Sequence, residues 1–113
     1  MAKTPLIYVN DILSAIRRVQ TYTNGLSLAD FKADDLRQDA VIRCLEIISE
    51  ASRRLPEDIK TRSPEIPWAK IAAIGNILRH EYQSVSAHVI WNVVETSLPD
   101  LRRAAQQIKS TLD

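Results

Sequence analysis

Cysteine is almost absent from this chain of 113 residues: Cys44 stands alone. An internal disulfide framework is thereby excluded, and a solitary thiol on an apolar helix stripe fits plain packing in a reducing compartment. Only two glycines, Gly25 and Gly75, occur, and alternating β-branched runs are few, which leaves little room for strands. No apolar run approaches the ~20 residues that cross a bilayer. Met1-Ala2-Lys3-Thr4-Pro5 has no apolar segment behind its lysine, so the expectation is a protein that is not exported, has no membrane partner and works in the cytoplasm. An excess of one charge is missing too. Fifteen Lys and Arg oppose fourteen Asp and Glu for a net charge of +1, and tight phosphate binding usually needs a concentrated positive field. The doublets Arg17-Arg18, Arg53-Arg54 and Arg102-Arg103 are either parts of a local basic groove or solvated helix faces.

What is present reads as helix. A composition of 45% hydrophobic and 26% charged residues is that of an ordinary globular chain, and residues 1–113 fit a single domain able to bury roughly two thirds of its unfolded surface. The pattern predicts an all-α, up-and-down helical bundle of about five main helices. The first runs from about Pro5 to Asn24, with Thr4 as N-cap, Pro5 in the first position and Gly25 at the terminus. Val9, Ile12, Leu13, Ile16 and Val19 give it one apolar face. A short turn of helix follows Ser27.

The second main helix runs from about Asp34 to Leu55, with Leu36, Ala40, Val41, Cys44, Leu45, Ile48, Ala51 and Leu55 on one stripe. Asp39 with Arg43, and Glu50 with Arg54, are spaced as ion pairs. Pro56 to Pro67 contains three prolines and reads as a linker with one helical turn. The third main helix runs from Pro67 to about Tyr82. The fourth starts at Ser86, with Val85 and Ile90 placed as a hydrophobic staple. The fifth starts at Pro99, with Asp100 in its first turn and Lys109 in its last.

The third main helix carries the candidate chemistry. At about 100° per residue, Trp68, Ile71, Ile74, Gly75, Leu78 and Tyr82 form its core side. Ala69, Ala73, Asn76 and His80 form the other side, without the long charged residues of a solvated face. This stripe meets either another helix of the same chain or a second copy across a symmetric dimer. His80 is one of two histidines; imidazole titrates near neutral pH and suits general acid-base work, or it is structural. His80 and His88 fall on separate predicted helices without a supporting cluster, so no metal site is expected. No P-loop, dinucleotide fingerprint or serine triad is found, and no cofactor is expected.

Ile74-Gly75-Asn76-Ile77-Leu78-Arg79-His80-Glu81-Tyr82 resembles the motif of the HepT-like family, within the HEPN superfamily of ribonucleases. Gln38-Asp39-Ala40-Val41-Ile42-Arg43 with Leu45-Glu46-Ile47-Ile48 resembles the family's second-helix signature. Pro64 to Trp68, Val89-Ile90-Trp91 and Leu98-Pro99-Asp100-Leu101 resemble further family segments, in order over nearly the whole chain. The resemblance implies a homodimeric, metal-independent RNA endonuclease, the toxin of a toxin-antitoxin pair. Its implied antitoxin is a minimal nucleotidyltransferase, MntA, which silences the toxin by transferring AMP to the motif tyrosine.

By this resemblance His80 is the catalytic acid/base, Tyr82 the modified tyrosine and Asn76 the motif asparagine. Glu81 is a local acid, an ion-pair partner or neither. The chain departs from the motif at Gly75, where its arginine is expected. Arg79 lies one turn later, and helical side chains lean toward the N-terminus, so its guanidinium is expected to reach back over the space at Gly75 and hold the phosphate. The alternative is an ordinary ion-pair role for Arg79, and for the protein a catalytically silent dimer that binds the nucleotidyltransferase or a nucleotide.

Overall fold

Pro5 opens the first helix, because its ring presets a helical φ and its missing amide would be unbonded there in any case. This helix, α1, spans Pro5–Thr23 in a computed structural model that describes residues 4–81 and 86–112, all but the side chain of Glu81. Thr4 has the extended backbone of an N-cap, but its hydroxyl bonds no amide. Gly25, at φ 78°, ends the segment in the left-handed region where a Cβ would be strained.

Ser27 then starts α2, Leu28–Lys32, through a reciprocal capping box: the Asp30 amide donates to Ser27 Oγ at 3.1 Å, and the Ser27 amide donates to Asp30 Oδ2 at 3.0 Å. Asp34 caps α3, Asp35–Arg54, by accepting from the Arg37 amide at 3.0 Å. The proline-rich linker holds one short helix, α4, Glu57–Lys60. It is followed by α5, Trp68–Glu81.

Ser86 caps α6, Ala87–Asn92, with its side chain accepting from the Val89 amide. Val85, the other half of the expected staple, and Tyr82 lie outside the described residues. A separate helix beginning at Pro99 is not what forms. The chain passes from α6 through a π-helical turn, Val93–Ser97, directly into α7, Leu98–Leu112. Pro99 has no amide to give, and the wider turn before it, in which the Leu98 amide donates to Val93 O, carries the helix past that gap.

The described residues form helices joined by short turns and loops, without strands. Helix α3 is the hub, packing on α1 and α5, and α1 packs in turn on α7. Arg37 Nη1 donates to Tyr22 O at 3.0 Å, while Tyr8, near the other end of α1, lines the same cleft as Arg54; α1 and α3 are therefore antiparallel. The core joins Val9, Ile12, Ile16 and Val19 of α1 to Val41, Cys44, Leu45 and Ile48 of α3 and Leu101 and Ile108 of α7. Each such aliphatic residue contributes about 1.5–3 kcal/mol of transfer free energy. Leu36 does not join the expected stripe. It is 81% exposed, since it sits about 180° around the helix from Leu45.

Candidate active site

Trp68 fixes the beginning of α5: its indole Nε1 donates to Lys60 O and Ser63 O, each at 3.1 Å. Beyond it Ile71, Gly75 and Leu78 are buried against α3, and Trp68 and Ile74 are half-buried. Ala69, Ala73, Asn76 and His80 are all exposed. Burial of that stripe within the same chain, one of the two sequence readings, is therefore not what occurs. Ile77, 43% exposed, lies on the same side of α5, and Val89, 53% exposed, lies on α6.

Gly75 is not beside empty space. Ser49 of α3 presses against it, and a Cβ built on Gly75 would fall 2.6 Å from Ser49 Oγ and 2.9 Å from Ser49 Cβ. The serine hydroxyl accepts from the Gly75 amide at 3.0 Å and donates to Ala72 O at 2.7 Å. Arg53 Nη2 donates to the same carbonyl at 3.2 Å. Glycine is required here for close helix approach rather than for an unusual φ. The expectation of a vacancy at Gly75 is corrected accordingly: Ser49 fills it.

Arg79 does lean back along α5. Its Nη1 lies 3.5 Å from the Cβ position of Gly75, one turn toward the N-terminus, as helical side-chain direction dictates. The guanidinium lines a cleft of about 450 Å³ between α1, α3 and α5, together with Tyr8, Asp11, Arg43, Glu46, Glu50 and Arg54. Glu50 is already held by Arg54 at 2.9 Å and Arg53 at 3.2 Å. The Arg54 hydrogen bond, with smaller contributions from Arg53, Arg54 and Arg79 as charges, holds its carboxyl below the usual carboxylate range. Arg79 itself is exposed and has no ion pair among the described residues.

His80 does not line that cleft. It emerges about 100° around the helix from Arg79, and position 75 is about 140° from it. Within one copy of the chain the two residues therefore face different surfaces. His88 is exposed on α6. Among the described residues no group of three or more His, Cys, Asp or Glu is placed to hold a metal ion, and no helix is long and apolar enough to cross a membrane. Two features escaped the sequence reading: the packing of Ser49 and the charged cleft around Glu50. A small polar residue beside Ile48 in a buried run was the available signal for the first.

A family model described as ribonuclease HepT-like matches residues 12–108. The chain belongs to the HepT-like ribonuclease family. It is 38% identical over 102 residues to a probable ribonuclease HepT of Thermococcus cleftensis, covering 90% of this chain and 93% of that one. A two-part relative from Methanocaldococcus jannaschii, named as a gamma-glutamylcyclotransferase and candidate RNase, is 36% identical over 113 residues; this chain spans 51% of its length. A candidate RNase of Caldanaerobacter subterraneus is 33% identical over 106 residues, covering 94% of this chain and 95% of that one. No solved structure gives a significant match. The matched span includes all of α5, with Gly75, Arg79 and His80.

Proposed function

We propose that this chain is a metal-independent RNA endonuclease working as a homodimer in the cytoplasm, the toxin of a toxin-antitoxin pair. The observation that carries the reading is the disposition of α5 in a chain of this family. Arg79 has an exposed guanidinium that makes no ion pair among the described residues, and His80 next to it in sequence is solvent-facing. His80 takes the proton of an RNA 2′-hydroxyl, whose oxygen attacks the adjacent phosphorus. The P–O5′ bond breaks, the 5′-oxygen leaves with a proton returned from an imidazolium, and a 2′,3′-cyclic phosphate remains. Arg79 supports the charge that builds on the phosphoryl oxygens. Asn76, one turn before His80, supports the motif from the same side of α5.

The dimer supplies what one copy lacks. Ala69, Ala73, Asn76 and Ile77 make an exposed face of small and apolar side chains, which admits a second α5 at close range. Two such faces meeting bring Arg79 of one copy toward His80 of its partner. The partner enzyme in this reading is a minimal nucleotidyltransferase of the MntA type. It transfers AMP from ATP to the Tyr82 hydroxyl, with pyrophosphate leaving, and so silences the site.

Purified protein, free of antitoxin, is incubated with RNA and a chelator. Cleavage that persists in the chelator and disappears in both His80→Ala and Arg79→Ala is expected. Cleavage unaffected by either substitution sinks the assignment of roles. Incubation with the nucleotidyltransferase and ATP is expected to add one AMP at Tyr82 by mass spectrometry, and an unmodified Tyr82 rejects the silencing step.

A second reading has one observation in its favour. Ser49 occupies the space at Gly75, so the motif arginine is both missing and sterically barred. In that reading the protein is a silent dimer that binds the nucleotidyltransferase or a nucleotide. The clean, unmodified dimer then cuts no RNA under any of these conditions.

A further inference from the structure

The three arginine doublets divide in a consistent way. Arg53 and Arg54 both bond Glu50. Arg18 turns to the Tyr22 hydroxyl at 3.2 Å, and Arg103 pairs with Asp100. The other members, Arg17 and Arg102, go elsewhere: they converge with Lys109 on one groove of about 280 Å³ between α1 and α7. Its remaining lining is Leu13, Gln20 and Gln106, with no carboxylate among the described residues. None of the three cations has an ion pair among the described residues.

That composition differs from the charge-balanced cleft around Arg79. The chain as a whole carries only +1, and the cleft holding Arg79 balances its three arginines with Asp11, Glu46 and Glu50. Unpaired cations gathered in a concave site raise the local concentration of anions. Arg102, Gln106 and Lys109 lie at i, i+4 and i+7 on α7, so its cations are spread over about 10.5 Å of helix axis. Arg17 and Gln20 face them from α1. A charged track of that length exceeds the distance between neighbouring phosphates of one nucleic-acid strand. The glutamines add amide donors for phosphate or ribose oxygens, and Leu13 is an apolar surface for a sugar or base edge.

We infer that the α1–α7 groove, built on Arg17, Arg102 and Lys109, holds the phosphate backbone of single-stranded RNA away from the point of cleavage. The inference rests on the proposal that RNA is the substrate. On α1 the groove residues lie about 120–180° around the helix from Tyr8 and Asp11, which line the Arg79 cleft. The two surfaces are therefore separate, and one can fail without the other.

The test uses the full chain and a labelled 2′-O-methyl oligoribonucleotide of mixed sequence, which keeps the phosphates but has no 2′-hydroxyl to attack. Binding is followed by fluorescence anisotropy across a salt series. Neutralising three phosphate contacts in Arg17→Gln/Arg102→Gln/Lys109→Gln is expected to weaken binding on the order of tenfold and to flatten the log–log salt slope by about 2, at ~0.7 per contact for single strands. Arg17→Lys/Arg102→Lys, which keeps every charge, is expected to retain the slope. If the triple variant does not fold, Arg102→Glu and Lys109→Glu singly read the same quantity.

Variants matching the unmodified protein in affinity and slope overturn the groove while leaving the His80-dependent cleavage assay untouched. An unmodified protein that binds no RNA overturns both the groove and the RNA reading. Poly-glutamate displacing the oligonucleotide as well as unlabelled RNA at equal charge shows a general anion surface and overturns the RNA assignment.

Discussion

The Gly75 amide donates to Ser49 Oγ at 3.0 Å, across a close contact of α5 on α3. Adding one methyl group there drives a Cβ into the serine hydroxyl, and overpacking of this kind costs about 1–3 kcal/mol. Gly75→Ala should therefore lower unfolding free energy by that amount in a urea titration. Ser49→Gly placed in the same chain should recover part of it. Gly75→Arg, which adds a far larger side chain at the same contact, should destabilise further and should not raise RNA cleavage. Wild-type stability for Gly75→Ala would disprove the close contact.

Arg79 should behave in the opposite way. It is exposed and makes no ion pair among the described residues, so Arg79→Ala should change stability by no more than about 0.5 kcal/mol. Losing one donor aimed at a developing phosphoryl charge costs on the order of 10²–10³ in rate. Single-turnover cleavage and a thermal melt on the same sample separate the two effects. A fall in both together would mark Arg79 as structural.

Acid should weaken the fold through two carboxylates. The Ser27 backbone and side chain hold Asp30 below its ordinary value, and chiefly Arg54 does so for Glu50. A folded-state pKa depressed in this way gives stability that is present above the unfolded pKa and is lost as pH falls through the folded one. The melting temperature should thus hold above about pH 5 and decline below about pH 4. Asp30→Asn and Glu50→Gln should each flatten that decline. A melting curve that is equally steep in both variants would assign the acid response to other groups.

Ser52 is fully buried, and its hydroxyl has no hydrogen-bond partner among the protein groups described. Replacing it by alanine removes that unmet donor and improves helix propensity. Ser52→Ala should stabilise the protein by roughly 1 kcal/mol, read from the shift of the denaturation midpoint. Destabilisation would mean that the hydroxyl is bonded in solution.

The exposed face of Ala69, Ala73, Asn76 and Ile77 yields a prediction about assembly. Ala73→Arg places a long charged side chain where a second α5 is proposed to lie. Sedimentation should show the unmodified protein as a dimer and the variant shifted to monomer, with the monomer's melting curve still cooperative. A variant that stays dimeric moves the interface elsewhere.

Helix positions were legible in the sequence because caps and breakers act locally. Ser27, Asp34 and Ser86 each accept from an amide of the first turn that they open. Apolar periodicity marked the faces of α1 and α3, apart from Leu36, whose place in the first turn of α3 is out of phase with the stripe. The π-helical turn was illegible, since proline normally announces a start, and only the bonding of the preceding residues shows that the helix continues. At the candidate site, the backward lean of Arg79 follows from helix geometry alone. The filling of Gly75 by Ser49 does not, because it depends on how α3 and α5 cross, and residues 49 and 75 share no local pattern.

The turn at Val93–Ser97 also sets the phase of everything after it. One residue more or less in a helix rotates the following segment by about 100°. Deleting a single residue within Val93–Ser97 would turn Leu101 and Ile108 out of the core, or, if they held their places, would break the chain's helical continuity instead. Arg102 and Lys109 would leave the α1 groove in the first case, and the proposed salt-dependent binding would go with them. This turn acts as an index mark: its length, rather than any side chain in it, determines which side of α7 meets solvent.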